Sequence, residues 1–288
     1  MLQNFQHIRS RETINRQLEM KYEDVLEKFC QELSEVQLIS HRHKDDPPHA
    51  IHMPPVAGSV KWARSLFHRV KATVLSFKQR PSLLQSPSGQ DASARYLEVA
   101  REIRTYEKTL HKEWCLRAEE QLPLELSMNV LKFSGERRVL PAIPSKQRRI
   151  SSSKKHESKV EVMILSSASR FEVNYTAELR TLIAEAKYLD ILELEVPEAL
   201  VNITLQEDKH QQLRHELRML TDRLETTLSR MTAPVEALLE RHVLDLAASI
   251  QPGVQRLNWN SLGVGDYIER CLQALSKFES VLVPVLVR

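Results

Sequence analysis

The residues best suited to chemistry gather in one short stretch: His41, His43, Asp45, Asp46, His49 and His52. Imidazole nitrogens and carboxylate oxygens at this density form a donor set for zinc or copper. The same stretch carries Pro47-Pro48 and Pro54-Pro55. Proline removes backbone donors and blocks helix, so no framework holds these ligands in place. The stretch reads as a solvated link between helices, and no metal ligand is assigned. His215-Glu216 opens an H-E-x-x-H pattern, but Met219 stands where the second His must be. That pair reads as a polar helix face. A phosphate loop needs Gly-Lys-Ser/Thr so that backbone N–H groups can wrap an anion. The chain contains no Gly-Lys pair and no G-x-S-x-G nucleophile elbow. No catalytic and no cofactor-binding residue is assigned, so a non-enzymatic chain without cofactor is expected.

One motif offers modification chemistry. Arg148-Arg149-Ile150-Ser151 places two arginines upstream of a serine, as basophilic kinases accept. Ser151 is therefore a candidate phosphorylation site. Between Lys132 and Lys159 there are nine Lys or Arg against two Glu, a net +7 in a chain whose total is +3. Phosphate at Ser151 would offset part of that charge. The run lacks interleaved aromatics for stacking on bases, and the rest of the chain is slightly acidic. Neither nucleic-acid nor membrane binding is expected.

Composition constrains the elements that must position such residues. Glycine is 6 of 288 residues, against a usual ~7%. Tight hairpins and phosphate loops depend on glycine, so nucleotide folds and β-meanders are disfavoured. Cys30, Cys115 and Cys271 are isolated and odd in number, which points to reduced thiols in the cytosol rather than a disulfide framework. No signal peptide and no uncharged apolar run of about 18 residues is found.

Helical periodicity dominates instead. Leu18, Tyr22, Val25, Phe29, Leu33 and Val36 step by three or four residues. Val56, Val60, Ala63, Phe67, Val70, Val74 and Phe77 form a heptad seam that Pro81 ends. Residues 82–91 read as a loop. Tyr96, Val99, Ile103, Tyr106, Leu110 and Trp114 follow, with Pro123 ending or kinking the helix. Beyond residue 178 come stripes at Leu179–Leu192, Leu213–Met231, Val235–Ile250 and Tyr267–Phe278, with stops expected at Pro197, Pro252 and Pro284. Val160–Leu165 reads as a short strand or the start of a helix. Trp62, Trp114 and Trp259 read as structural.

The expected fold is all-α: elongated antiparallel helical bundles with long helices, split by a flexible basic linker. The expected division is an N-terminal bundle over 1–131, an unstructured Ser/Pro-containing basic linker over 132–169, and a C-terminal bundle over 170–288. The seams at 56–77 and 213–231 are the candidate partner surfaces, although intramolecular packing absorbs most such residues.

Several stretches, taken in order, resemble a known family. They are Asn4-Phe5, Ser10-Arg11-Glu12, Lys21-Tyr22, Asp46-Pro47-Pro48, Met53-Pro54-Pro55-Val56-Ala57-Gly58 and Trp62-Ala63-Arg64-Ser65-Leu66. Downstream follow Glu185-Ala186-Lys187-Tyr188-Leu189, Val196-Pro197 and Gly253-Val254-Gln255-Arg256-Leu257-Asn258-Trp259-Asn260-Ser261. Together they resemble the N-terminal tail, or stem, of dynein heavy chains of axonemal type, over residues 1–80 and 171–275 and less closely over 92–131. The resemblance implies a helical assembly platform in microtubule-based ciliary movement. The implied partners are dynein intermediate and light chains and another dynein heavy chain, with microtubules contacted indirectly. The implied location is the cytoplasm, the cytoskeleton and the cilium axoneme. The family's motor ATPase lies far C-terminal to this region, so the chain is expected to be a short tail product lacking the motor. The alternative function is an independent cytosolic helical scaffold regulated by phosphorylation of the basic linker.

Overall fold

The structure is a computed structural model, and it describes residues 2–48, 50–78, 81–141 and 159–286. The chain divides into two units, one comprising 1–119 with 184–198 and the other 120–183 with 199–288.

The first unit holds helices α1 (Leu2–His43), α2 (Pro55–Lys78) and α3 (Pro81–Gln85). It also holds most of α4 (Pro87–Ser127) and the end of α5 (Ala177–Ile191). Long helices pack antiparallel, as their apolar stripes require. Leu26, Phe29, Leu33 and Val36 of α1 meet Trp62, Ala63, Leu66, Val70 and Phe77 of α2 and Val99 and Ile103 of α4 in one core. Phe29 and Phe77 make an edge-to-face pair at 5.1 Å, and Trp62 does the same with Tyr106 at 6.1 Å.

Two local differences from the periodicity appear here. Leu26, not Val25, enters the core, and Leu18 and Val25 face solvent. The stretch 82–91, expected as a loop, is mostly helical. Pro81 and Pro87 each open a helix, where a missing N–H costs nothing. The Ser86 hydroxyl caps α4 by accepting the Gly89 N–H at 3.0 Å.

The second unit holds four short strands: β1 (Leu131–Ser134), β2 (Arg137–Pro141), β3 (Lys159–Met163) and β4 (Arg170–Val173). Its remaining helices are α6 (Glu198–Leu205), α7 (Glu207–Leu228), α8 (Ala233–Leu238), α9 (Glu240–Gln255) and α10 (Val264–Leu286). β1 pairs antiparallel with β4, setting Phe133 opposite Phe171 with rings 5.0 Å apart. β2 pairs antiparallel with β3, Arg137 opposite Met163. Helix α10 packs on α7 and α9, and α7 lies along β4.

The flanks of the basic stretch, expected to lack regular structure, are thus paired strands. Alternation explains it: Leu131 and Phe133 are buried while Lys132 and Ser134 are exposed, a period of two. Of the two readings of Val160–Leu165, the strand holds. Residues 142–158, with Ser151, lie outside the described residues.

Candidate functional site

Most of both seams expected as partner surfaces is consumed inside their own units, with Phe67 left half-buried. Val60, Ala63, Val70 and Phe77 are buried in the first, and Leu217, Leu220, Leu224, Leu228 and Met231 in the second. Among the described residues no group of three or more His, Cys, Asp or Glu is placed to hold a metal. His41 turns to Glu102 at 3.4 Å, and the Tyr106 hydroxyl donates to the Lys44 carbonyl at 2.7 Å. His49 lies outside the described residues. What the structure brings together, in three polar nodes, are four of the motifs that carried the resemblance: those at 53–58, 62–66, 185–189 and 253–261.

The first node is the start of α2. A helix begins with backbone N–H groups that have no intrahelical acceptor. Here the Glu185 carboxylate, delivered by α5, accepts the Val56 N–H at 2.7 Å and the Ala57 N–H at 2.8 Å. Glu185 is only 2% exposed. A buried anion is tolerated here because it meets both the donors and the positive end of the helix dipole. The Pro-Pro-Val-Ala-Gly stretch and the Glu-Ala-Lys-Tyr-Leu stretch are therefore two halves of one cap, 128 residues apart in sequence.

The second node is the end of α5. The Leu194 N–H returns to the Leu189 carbonyl at 3.0 Å and the Glu193 N–H to the Asp190 carbonyl at 2.8 Å. That pair of bonds is a Schellman cap, with Glu193 at the left-handed position, φ 58°. The freed Leu192 carbonyl accepts from the Arg64 guanidinium, whose Nε also reaches Glu107 at 2.7 Å. A His111 ring nitrogen sits 2.6 Å from the Glu195 carbonyl. Arg64 of the Trp-Ala-Arg-Ser-Leu stretch thus anchors the turn that follows α5.

The third node surrounds Trp259 in the second unit. Its indole N–H donates to the Asn174 carbonyl at 2.7 Å, and its backbone N–H to the Leu126 carbonyl at 3.1 Å. The Asn129 side chain donates to the Val254 carbonyl at 2.7 Å, and the Val130 N–H to the Leu257 carbonyl at 3.0 Å. Tyr175 meets the indole edge-on at 5.0 Å, and the His210 ring stacks on it at 6.0 Å. Burial holds His210 below the usual histidine range, with Lys209 adding to the shift. Nearby, Tyr267 donates to the Ile250 carbonyl at 2.9 Å. Gly253 is required beside it, since a Cβ there would lie 2.2 Å from the Tyr267 oxygen.

Trp62 and Trp114 are buried on helices of the first unit, and Trp259 at the junction just described. Cys271 is buried, and desolvation pushes its thiol up to about 11. No helix among the described residues is long and apolar enough to cross a membrane. Sequence reasoning missed the long-range caps. The one signal for Glu185 was its place in a motif quoted for its order rather than for its chemistry.

The comparisons with known proteins agree on one family. The family described as "Dynein heavy chain, N-terminal region 1" matches residues 1–267. Human "Dynein axonemal heavy chain 10" is 36% identical over 238 residues, 83% of this chain and 5% of that protein. In Chlamydomonas reinhardtii, "Dynein-1-alpha heavy chain, flagellar inner arm I1 complex" is 29% identical over 287 residues, 99% of this chain and 6% of that protein. "Dynein gamma chain, flagellar outer arm", from the same organism, is 27% identical over 282 residues, 98% of this chain and 6% of that protein. The chain therefore spans about one-twentieth of the length of these relatives. A match to this family running through nearly the whole chain, with axonemal heavy chains as its relatives, makes this protein a member of the dynein heavy chain family, axonemal in type, over its N-terminal tail region.

Proposed function

We propose that the chain is a non-enzymatic assembly module. It binds dynein intermediate or light chains, or a second heavy chain, within an axonemal complex of a cilium or flagellum. The observation that carries this is the match to the tail region over residues 1–267. The motor ATPase of the family belongs to a different part of those much longer proteins.

A surface suited to the role lies on α1. Ile14, Leu18 and Val25 are 59%, 43% and 44% exposed. At 100° per residue they fall within about 40° of one another, a single stripe of apolar side chains with Lys21 set among them. Partner helices dock on such stripes by burying them, with the charged rim selecting the partner. This stripe takes the place of the two seams that the units use internally.

The test is capture from ciliated-cell extract with residues 1–288, read by mass spectrometry. The wild type is expected to recover an intermediate chain or a heavy chain. Ile14→Glu with Val25→Glu is expected to lose it while keeping the wild-type helical spectrum, because both side chains face solvent. Recovery of neither, from a sample that is helical and monodisperse, overturns the proposal.

A further inference from the structure

We propose that a basic groove on the first unit, floored by Phe67 and lined by α2 and α4, binds an extended acidic protein segment. It shares no residue with the α1 stripe and goes beyond the assembly reading.

Two adjoining hollows of about 490 and 550 Å³ share Phe67, Arg104 and Lys108 in their walls. The Arg104 guanidinium lies 4.6 Å from the Phe67 ring centre and the Lys71 ammonium 5.7 Å. These cations are held in place by the ring rather than by carboxylates. Among the described residues Lys71, Arg101, Arg104 and Lys108 form no ion pair. Two acids line the second hollow: Glu107, already taken by Arg64 at 2.7 Å, and Glu193. Four cations in no ion pair therefore stand against one remaining acid, Glu193, and an anionic ligand gains their attraction without first breaking native pairs.

Geometry selects a peptide among anions. Arg101, Arg104 and Lys108 follow one helix face over about 10 Å. An extended chain presents alternate side chains every ~6.6 Å, so two or three acids along it match this row. Nucleic acid fits less well, because base stacking needs an open aromatic face, and Phe67 already carries Arg104 and Lys71. A bilayer is flat on this scale, whereas the cations line a concavity.

The test uses the full chain and a fluorescein-labelled 12-residue peptide with glutamate at alternate positions, followed by anisotropy at 0.05 and 0.15 M salt. Saturable binding is expected, weakening with salt. Arg104→Glu with Lys108→Glu should weaken it roughly tenfold or more. The same peptide with glutamine for glutamate should not bind. Arg241→Glu, an exposed charge reversal in the second unit, should leave affinity unchanged. Circular dichroism confirms that each variant is folded. The proposal is overturned by no saturation at millimolar chain, by equal affinity in the double charge reversal, or by equal loss with Arg241→Glu. It is also overturned if a single-stranded oligonucleotide or a phosphatidylserine vesicle binds the groove in preference to the peptide.

Discussion

Replacing Glu185 tests the reasoning about the first node most sharply. Glu185 is buried and accepts two backbone N–H bonds at 2.7 and 2.8 Å at the start of α2. Glu185→Ala removes both acceptors. The Ala57 N–H is then stranded in a buried position, and the Val56 N–H in a half-buried one. Bonds to a charged acceptor contribute about 1.5–3 kcal/mol each, but these two share one carboxylate and are not additive. The expected loss is therefore about 3–4 kcal/mol. Glu185→Gln keeps one acceptor oxygen and removes the charge facing the helix dipole, so it should cost about 1–2 kcal/mol. Urea denaturation followed by far-ultraviolet circular dichroism measures both. Hydrogen exchange at residues 56 and 57 locates the effect: both amides are protected in the wild type and exchange early in Glu185→Ala. An alanine variant within about 0.5 kcal/mol of wild type refutes the account of this node. So does a glutamine variant as damaged as alanine.

Other nodes give further expectations. Gly253→Ala forces a Cβ to 2.2 Å from the Tyr267 oxygen, and should lower urea stability by about 2–3 kcal/mol through overpacking. An unchanged midpoint would contradict the close approach. Glu193→Gly relieves a left-handed residue at φ 58° and should raise the melting temperature, with a gain of about 0.5–1 kcal/mol; a lower melting temperature refutes the Schellman assignment. His210 is held neutral by burial, its folded pKa lying below the unfolded value of 6.5. Stability is then full above pH 6.5 and falls as pH drops through the depressed folded value, because the unfolded state takes the proton first. His210→Phe should abolish that limb in a pH series of urea titrations. Glu279 is held below its ordinary 4.5, chiefly by its bond to Arg223, and its stabilisation is lost only as pH falls below that value, a loss that His210→Phe leaves in place.

How much was legible in the sequence depends on the range of the interaction. Stripes at three and four residues located α1, α2, α4, α7, α9 and α10, because a helix must bury one face whatever its partner. They do not show where a partner ends: Leu18 and Val25 lie on the stripe, yet the buried residues of α1 begin at Leu26. Prolines marked most helix ends to within about a turn, but Pro197 stands six residues beyond the end of α5 at Ile191. Pro123, Pro252 and Pro284 sit inside helices that stop at Ser127, Gln255 and Leu286. Proline removes the N–H bond to the carbonyl four residues back, while its own carbonyl still accepts. The Pro252 oxygen takes the N–H groups of Arg256 and Leu257 at 2.9 and 2.8 Å. Short strands at the edges of the basic run were hidden by its charge and prolines, which outweighed the brief alternation at Leu131 and Phe133. The polar nodes were least legible. A carboxylate capping a helix 128 residues upstream leaves no local pattern, and only the order of the family motifs marked those positions.

The assembly role is the central claim, and direct binding tests it best. Purified chain is mixed with a purified axonemal dynein intermediate chain and passed over a sizing column with light-scattering detection. The account predicts one peak at the summed mass of a stoichiometric complex, which Ile14→Glu with Val25→Glu resolves into two. Two separate peaks for the folded wild type at tens of micromolar, repeated with a light chain and a second heavy-chain tail, would contradict it.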